Sequence, residues 1–439
     1  MKNLVQTLLS VSILLSGLSC GMAQDFILVS APDVGSSPIS IATADVNGDG
    51  KPDLIDANFS DNTVTVLTNN GNGGFVVSTV LPVGSGPSFV VAADLNGDGK
   101  PDLACANFYD NTVTIYTNGG NGIFVSNTTI AAGIRPQCII TADLRGSGNQ
   151  DLIVADFGVN GSGDTLMILT NNGSGAFNFS TNLTVGAGST FVIACDVNGD
   201  GWPDLISANA NDDSLTVLTN NGAGVFAQSA VLAVGAYPES VVAADVDGDG
   251  ALDLIAANYA DDSLTVWTNS GNGLFGFNGT INIDPGSGPA FVAACDVNGD
   301  GKPDLITANA NVSSLTVLTN DGSGGFVQMS SPTVGVNPNA VVAADFNGDG
   351  RPDLASANFS DVTVSVLINA PTPVIHVGLS DSIAVSWSLP ATNWTLQTNP
   401  DLTATNWANF GGTVNDDGTS RSVTVSSPAG NLFFRLTHP

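Results

Sequence analysis

Short apolar runs separated by clusters of Asn, Asp and Gly recur along most of the chain. One unit, from Pro87, reads PSFVVAADLNGDGKPDLACANFYDNTVTIYTNGGNGIFVSNTTIAAG. Its runs SFVVAA, DLACAN, TVTIYT and IFVSNTTIA have the length and β-branched content of strands, and the clusters between them are turn sequences. The first run is apolar throughout, which predicts an inner strand covered on both faces. The third alternates, which predicts a half-exposed strand. An aspartate opens the same segment at Asp45, Asp94, Asp143, Asp196, Asp245, Asp296 and Asp345, at intervals of 49, 49, 53, 49, 51 and 49 residues. Four strands in about 49 residues make one propeller blade. The repeats therefore predict an all-β, seven-bladed β-propeller.

The two ends of the repeat region agree with a closed ring. The last repeat stops after its third run, VTVSVLINA, and lacks a fourth. The N-terminal segment Asp25 to Gly35, DFILVSAPDVG, aligns with the fourth run of the first repeat, Gly74 to Gly84. It is expected to complete the last blade, which leaves few open sheet edges. This places the propeller at residues 24–370. From Pro371 the pattern changes, and 371–439 reads as a small β-sandwich-like module of about six short strands, with Trp387, Trp394 and Trp407 as its core or, alternatively, as an aromatic platform for sugar. Four added residues around Gly158 to Asp164 lengthen one turn of the third repeat.

Between its first and second strands each repeat carries a nine-residue loop, such as Asp45-Val-Asn47-Gly-Asp49-Gly-Lys51-Pro-Asp53. Side-chain oxygens at positions 1, 3, 5 and 9, with the carbonyl of position 7, suit a hard cation that takes six to eight oxygens. The two glycines permit backbone reversals that aim these groups inward. Five further repeats keep the set: Asp94, Asn96, Asp98, Lys100 and Asp102; Asp196, Asn198, Asp200, Trp202 and Asp204; Asp245, Asp247, Asp249, Ala251 and Asp253; Asp296, Asn298, Asp300, Lys302 and Asp304; Asp345, Asn347, Asp349, Arg351 and Asp353. The third does not, since Arg145 and Ser147 stand at positions 3 and 5, and the arginine is expected to put its own cation where a metal would sit. About six calcium ions are expected. The competing reading is that the loops are only Asx-type turns.

An EF-hand needs Glu at position 12, which here holds Asp56, Cys105, Ser207, Ala256, Thr307 and Ser356. The loop, the blade length and the G-x-x-P-x-x-V lead-in (Gly84 to Val90) instead resemble the FG-GAP/VCBS family of integrin α-chain-like propellers, over roughly residues 25–370. That resemblance implies calcium-dependent rigidity and extracellular recognition, often of protein or polysaccharide.

Only 11% of residues are charged, yet the formal net charge is −31, and Glu239 is the single glutamate. This balance excludes a nucleic-acid partner. Residues 1–23 read as a secretory signal: Lys2, an apolar run from Leu4 to Leu18, and the small residues of Gly21-Met22-Ala23. The alternative, lipidation at Cys20, is preceded by Gly17-Leu18-Ser19, a poor lipobox. No later apolar stretch is long enough to span a membrane, so a secreted or cell-surface protein, monomeric, is expected. Cys195 and Cys295 take a position held by Ala in the other repeats and read as buried core thiols; Cys105 and Cys138 form the one pair considered for a disulfide.

Strand order puts the candidate calcium loops on one face and the turns between second and third strands on the other. Those turns pair an amide with an aromatic ring at Asn58-Phe59, Asn107-Phe108, Asn258-Tyr259 and Asn358-Phe359, chemistry suited to a sugar ring. Alternatively, the Asn caps its own turn and the ring fills the wedge between blades. A polysaccharide lyase or hydrolase is the contrasting function, against which the ring offers no histidine: His376 and His438 both lie beyond it. A calcium-stiffened spacer is the third.

Overall fold

A computed structural model describes residues 25–370 continuously, then residues 376–379, 383–388, 395–399, 408–416, 420–425 and 433–437. The expectations for residues 1–23, Cys20 and the core of the C-terminal module (the side chains of Trp387, Trp394 and Trp407) lie outside the described residues. Phe26–Asn369 form one compact unit.

That unit is seven four-stranded sheets, six with their strands in sequence order and the seventh completed by the first strand of the chain. Blade 1 consists of Pro38–Ala44, Asp53–Asn58, Thr63–Asn69 and Phe75–Pro82. The next five blades begin at Pro87, Pro136, Ser189, Pro238 and Pro289. Blade 7 is Pro338–Ala344, Asp353–Asn358 and Thr363–Ala370, completed by the N-terminal strand Asp25–Ser30. The inner strands of successive blades touch in an unbroken circle, and the last touches the first. The ring is therefore closed as its repeats predict.

The burial pattern differs from the expectation for the inner and third strands. The second strand is wholly buried in every blade, the third is nearly so, and the fourth is largely exposed. The reason is the stacking of blades. Leu54 packs with Ala355 and Val364 of blade 7, whereas the next residue, Ile55, packs with Val90 and Leu103 of blade 2. The two faces of the second strand thus feed two separate interfaces, and no residue of it reaches solvent. The innermost strand is only partly buried.

A repeated polar latch holds neighbouring blades together. The last residue of each third strand, or the next to last in blade 7, is an asparagine. Its amide nitrogen donates to the carbonyl of loop position 2 in the preceding blade: Asn118 to Val46, Asn171 to Leu95, Asn220 to Leu144, Asn269 to Val197, Asn320 to Val246 and Asn369 to Val297, at 2.7–3.0 Å. Asn69 closes the circle on Phe346 of blade 7 at 2.9 Å. Each amide also donates to a carbonyl of its own loop, as Asn118 does to Pro101 at 3.1 Å.

All four cysteines of the ring are free thiols, and Cys105 and Cys138 lie in separate core clusters. Beyond the ring, His376–Leu379, Ile383–Ser388, Ser420–Val425 and Asn415–Asp416 form one antiparallel sheet, and Ala408–Asn409, Thr395–Asn399 and Phe433–Thr437 a second.

Removing one latch tests its weight. Asn118→Ala leaves the buried carbonyls of Val46 and Pro101 without this donor and should cost about 1–3 kcal/mol in denaturant unfolding. An unchanged unfolding midpoint would show that the latch is incidental.

Candidate functional site

Each loop folds around its first aspartate. Asp45 Oδ1 accepts the backbone N–H groups of Gly48 and Asp49 at 2.7 and 3.1 Å, and Oδ2 accepts that of Gly50 at 2.8 Å. Gly48 and Gly50 take φ of 78° and 82°, the left-handed region that glycine enters without strain. Asn47 Oδ1 accepts from the Asp49 N–H, and Asp49 Oδ1 from that of Lys51. The Asx turns weighed from the sequence are therefore present. They leave lone pairs free, because each carboxylate oxygen can accept twice.

The ninth-position aspartate behaves differently. Asp53 is fully buried, with Oδ2 accepting the Val46 N–H at 3.1 Å and Oδ1 the Asn69 N–H at 2.8 Å. Desolvation raises its carboxyl above the ordinary aspartate range, and the two backbone donors offset this only in part. The same holds for Asp102, Asp204, Asp253 and Asp304, and Asp353 is pushed up to about 6. Negative charge at the loop end is thus stabilised by donors but still short of compensation. In blade 5 position 3 is also acidic, and carboxylate oxygens of Asp245, Asp247 and Asp253 lie within 4.8 Å of one another. An all-oxygen donor set, converging and under-compensated, fits a hard divalent cation.

The third loop supplies that charge internally. Arg145 reaches both oxygens of Asp151, Nη2 to Oδ1 at 2.8 Å and Nε to Oδ2 at 3.1 Å, and Nη2 also donates to the Asn171 carbonyl. The donor set of this loop does not fit a metal, as its sequence implies. The position-7 lysines sit outside the other loops: Lys51, Lys100 and Lys302 approach Asp49, Asp98 and Asp300 at 3.3–4.0 Å across exposed surface.

On the opposite face the amide–aromatic pairs come apart. Asn58, Asn107, Asn258 and Asn358 are fully buried, and their amides bond inside their own hairpins. Asn58 Nδ2 reaches Thr63 Oγ1 and Thr65 Oγ1, and its Oδ1 accepts the Gly35 N–H. Asn107, Asn258 and Asn358 repeat the two Nδ2 donations, whereas Oδ1 of Asn107 and of Asn258 is buried without a partner. These four asparagines are turn caps and do not reach a surface ligand. The aromatic rings instead form an arc: Phe359, Phe59, Phe108 and Phe157 follow one another with centroids 6.2–6.4 Å apart, and the Arg135 guanidinium stands over Phe108.

A family model described as FG-GAP-like repeat matches residues 45–105, 94–154, 143–207, 196–256, 245–307 and 296–356. The chain belongs to the FG-GAP-like repeat family. No curated protein matches it. Among solved structures, the chain is similar to BBS1N from its complex with ARL6DN (15% identity, TM-score 0.57, covering 79% of this chain and 98% of that one). It is also similar to virginiamycin B lyase from Staphylococcus aureus (13%, 0.54, 78% and 99%) and to a putative 6-phosphogluconolactonase from Bacteroides fragilis (16%, 0.53, 70% and 86%). At these identities the likeness is one of fold.

Two features of this FG-GAP-like ring escaped the sequence reading. The latch asparagines end nearly every third run in the pair Thr-Asn, a signal that was available in the sequence. Asp156 stands where the other six blades have the turn-capping Asn. Its Oδ2 accepts from Thr165 Oγ1 at 3.0 Å, its Oδ1 is buried without a partner, and burial pushes the carboxyl up to about 7. A folded-state value above the unfolded one, about 3.9, means that stability falls as pH rises from about 4 to 7. Asp156→Asn should therefore stabilise the ring at pH 8 by about 1–3 kcal/mol, and the gain should shrink steadily toward pH 4 in parallel denaturation curves. A gain independent of pH would refute a buried charge at this position.

Proposed function

We propose that the mature chain is an exported, calcium-loaded binding module that presents a rigid ring to an extracellular protein or glycan, and that it is not an enzyme. The observation that carries this reading is the sixfold recurrence of oxygen-only loops around under-compensated buried carboxylates. In blade 5 the residues that would hold the ion are Asp245, Asp247, Asp249, the Ala251 carbonyl and Asp253, and the corresponding residues of blades 1, 2, 4, 6 and 7 would hold theirs. Calcium would supply charge neutralisation and tie the first and second strands of a blade together.

Against catalysis, the ring from 25 to 370 contains no histidine, and most of its basic residues, Lys51, Lys100, Lys302 and Arg351, occupy position 7 of the loops. The strong negative charge argues against nucleic acid. Among the described residues no helix is long and apolar enough to cross a membrane. Export rests on the leader-like residues 1–23, with attachment through Cys20 as the alternative to free secretion.

Ion counting tests the reading. Calorimetric titration of chelator-treated protein should find about six calcium ions, and a hundredfold excess over Kd should stabilise the ring by about 2.7 kcal/mol per site. Asp200→Ala should lower the count by one. The pair Arg145→Asn and Ser147→Asp, which rebuilds the third loop on the pattern of the others, should raise it by one. No calcium uptake in any of these proteins would overturn the assignment.

A further inference from the structure

At the mouth opposite the loops, the ring of turn residues reads Phe59, Phe108, Phe157, Ala210, Tyr259, Ala310 and Phe359 around the seven blades. Two blades therefore lack the large side chain. Beside Ala210 the gap is covered by the lengthened turn of blade 3, whose Gly161 carbonyl accepts from Asn211 Nδ2 at 2.7 Å. Beside Ala310 nothing replaces the ring, and a cavity of about 550 Å³ opens between Tyr259 and Phe359. That volume is within the range of small-ligand pockets.

The cavity wall is built by a second repeated device. In every blade the inner strand carries an irregularity in register just after its first residue, so that one extra residue is left out of the pairing. Such bulges re-aim side chains. The seven residues at this position are Ile39, Ser88, Gln137, Thr190, Glu239, Ala290 and Asn339, the most varied set in an otherwise monotonous repeat. Ser88 and Thr190 use their hydroxyls to bond the next blade. Glu239, the single glutamate of the chain, lines the cavity, half-buried, and among the described residues has neither an ion pair nor a hydrogen bond. Burial pushes its carboxyl up to about 7.

Tyr237 lines the same cavity. Its left-handed backbone, φ 56°, belongs to the repeat, since Ser37, Arg135 and Asn337 take 54–59° at the equivalent position and Gly86, Gly188 and Gly288 fill it in the other blades. What is particular to blade 5 is the aromatic ring carried there. That ring lies 6.3 Å from that of Tyr259, and the Tyr259 hydroxyl is fixed by Asn311 Oδ1 at 2.9 Å.

An unpaired carboxylate among tyrosine and phenylalanine rings selects for one kind of guest. We propose that this cavity is the recognition site of the ring and takes an organic cation, an ammonium or guanidinium group paired with Glu239, with its carbon stem against Tyr237, Tyr259 and Phe359. The inference gives a place and a chemistry to the binding role proposed above and rests on that reading. A Lys or Arg side chain displayed on a partner protein and a free small amine share this chemistry.

The test is calorimetric titration of the full chain, calcium-loaded, with N-acetyl-lysine methylamide, N-acetyl-arginine methylamide, n-butylammonium and the uncharged N-acetyl-norleucine methylamide. Saturable binding of the cations at a Kd of about 1 mM or tighter is expected, with at least tenfold weaker binding of the norleucine compound. Tighter binding of the capped amino acids than of butylammonium identifies a displayed side chain as the source, and the reverse order a free amine. Glu239→Gln, which copies Gln137 of blade 3, and Ala310→Phe, which copies the rings of blades 1, 2, 3 and 7, should each weaken the cations at least tenfold while leaving the thermal transition in place. Cation binding that survives both substitutions, equal binding of the neutral compound, or no binding at all would overturn the inference. Counting calcium in the same samples separates the two claims: absent cation binding with six ions bound defeats only this site, and cation binding without calcium uptake defeats only the metal assignment.

Discussion

The ring depends on a carboxylate that never reaches solvent. The aspartate ending each loop is fully buried in all seven blades. In each it accepts the N–H of the latch asparagine at 2.7–2.9 Å. That bond holds the asparagine so that its side chain can reach the preceding blade. The residue at loop position 2 is the common partner. In six blades its N–H bonds the aspartate of its own blade, and in all seven its carbonyl receives the asparagine of the next. Both backbone polar groups of one buried residue are thereby satisfied by two different blades, and the hydrophobic packing between sheets acquires a fixed register. Blade 3 is the exception that explains the rule: there the guanidinium of Arg145 takes the oxygen that the position-2 N–H would otherwise occupy.

The same carboxylate links the architecture to the metal chemistry proposed for the loops. A charge this deep is costly unless donors or a cation compensate it. Two backbone donors are not enough, because desolvation still lifts these aspartates above their ordinary range in six blades. In the third, where a guanidinium binds both oxygens, the cation is covalently part of the chain. The comparison within one molecule is informative: six loops have further oxygen donors around the buried charge, and the loop without Asn or Asp at positions 3 and 5 holds an arginine at position 3. For the proposed ion, coupling to blade packing would need no long pathway, since the residue that would touch it also orients the latch.

The blade count, the sheet class, the candidate loops and the closing N-terminal strand were all legible in the sequence, because each is written as a repeat and repetition makes weak local signals additive. Burial was less legible. The alternating run TVTIYT predicts half-exposure, but alternation here sorts residues between two neighbouring blades, and periodicity cannot distinguish a blade from solvent. The amide–aromatic turns failed as a joint site for a related reason. Adjacent residues in a turn point apart, so Asn58 caps its hairpin while Phe59 joins the arc at the mouth. The latch asparagines were passed over because Thr-Asn at a strand end looks like ordinary turn chemistry. Only the 72-to-277-residue separation between the partners gives such a bond its meaning, and that separation is a property of the closed ring.

Closed repetition also determines where function can be placed. A residue in the second strand touches two interfaces, and a residue in the loop or latch touches two blades, so substitution there disturbs the ring. The bulged residue of the inner strand lies outside the loop, the latch and the second strand, and it is where the seven repeats differ most, while the residue after the turn cap is either a large ring or alanine. Ile, Ser, Gln, Thr, Glu, Ala and Asn share the first of these positions, and Phe, Ala and Tyr the second. Differences at such positions cost the fold little, so they are free to be chosen by a ligand. That Glu239, the Tyr237 ring and the missing ring at Ala310 fall together in one sector of the mouth is what makes this sector chemically distinct in a molecule that is otherwise seven copies of one sheet.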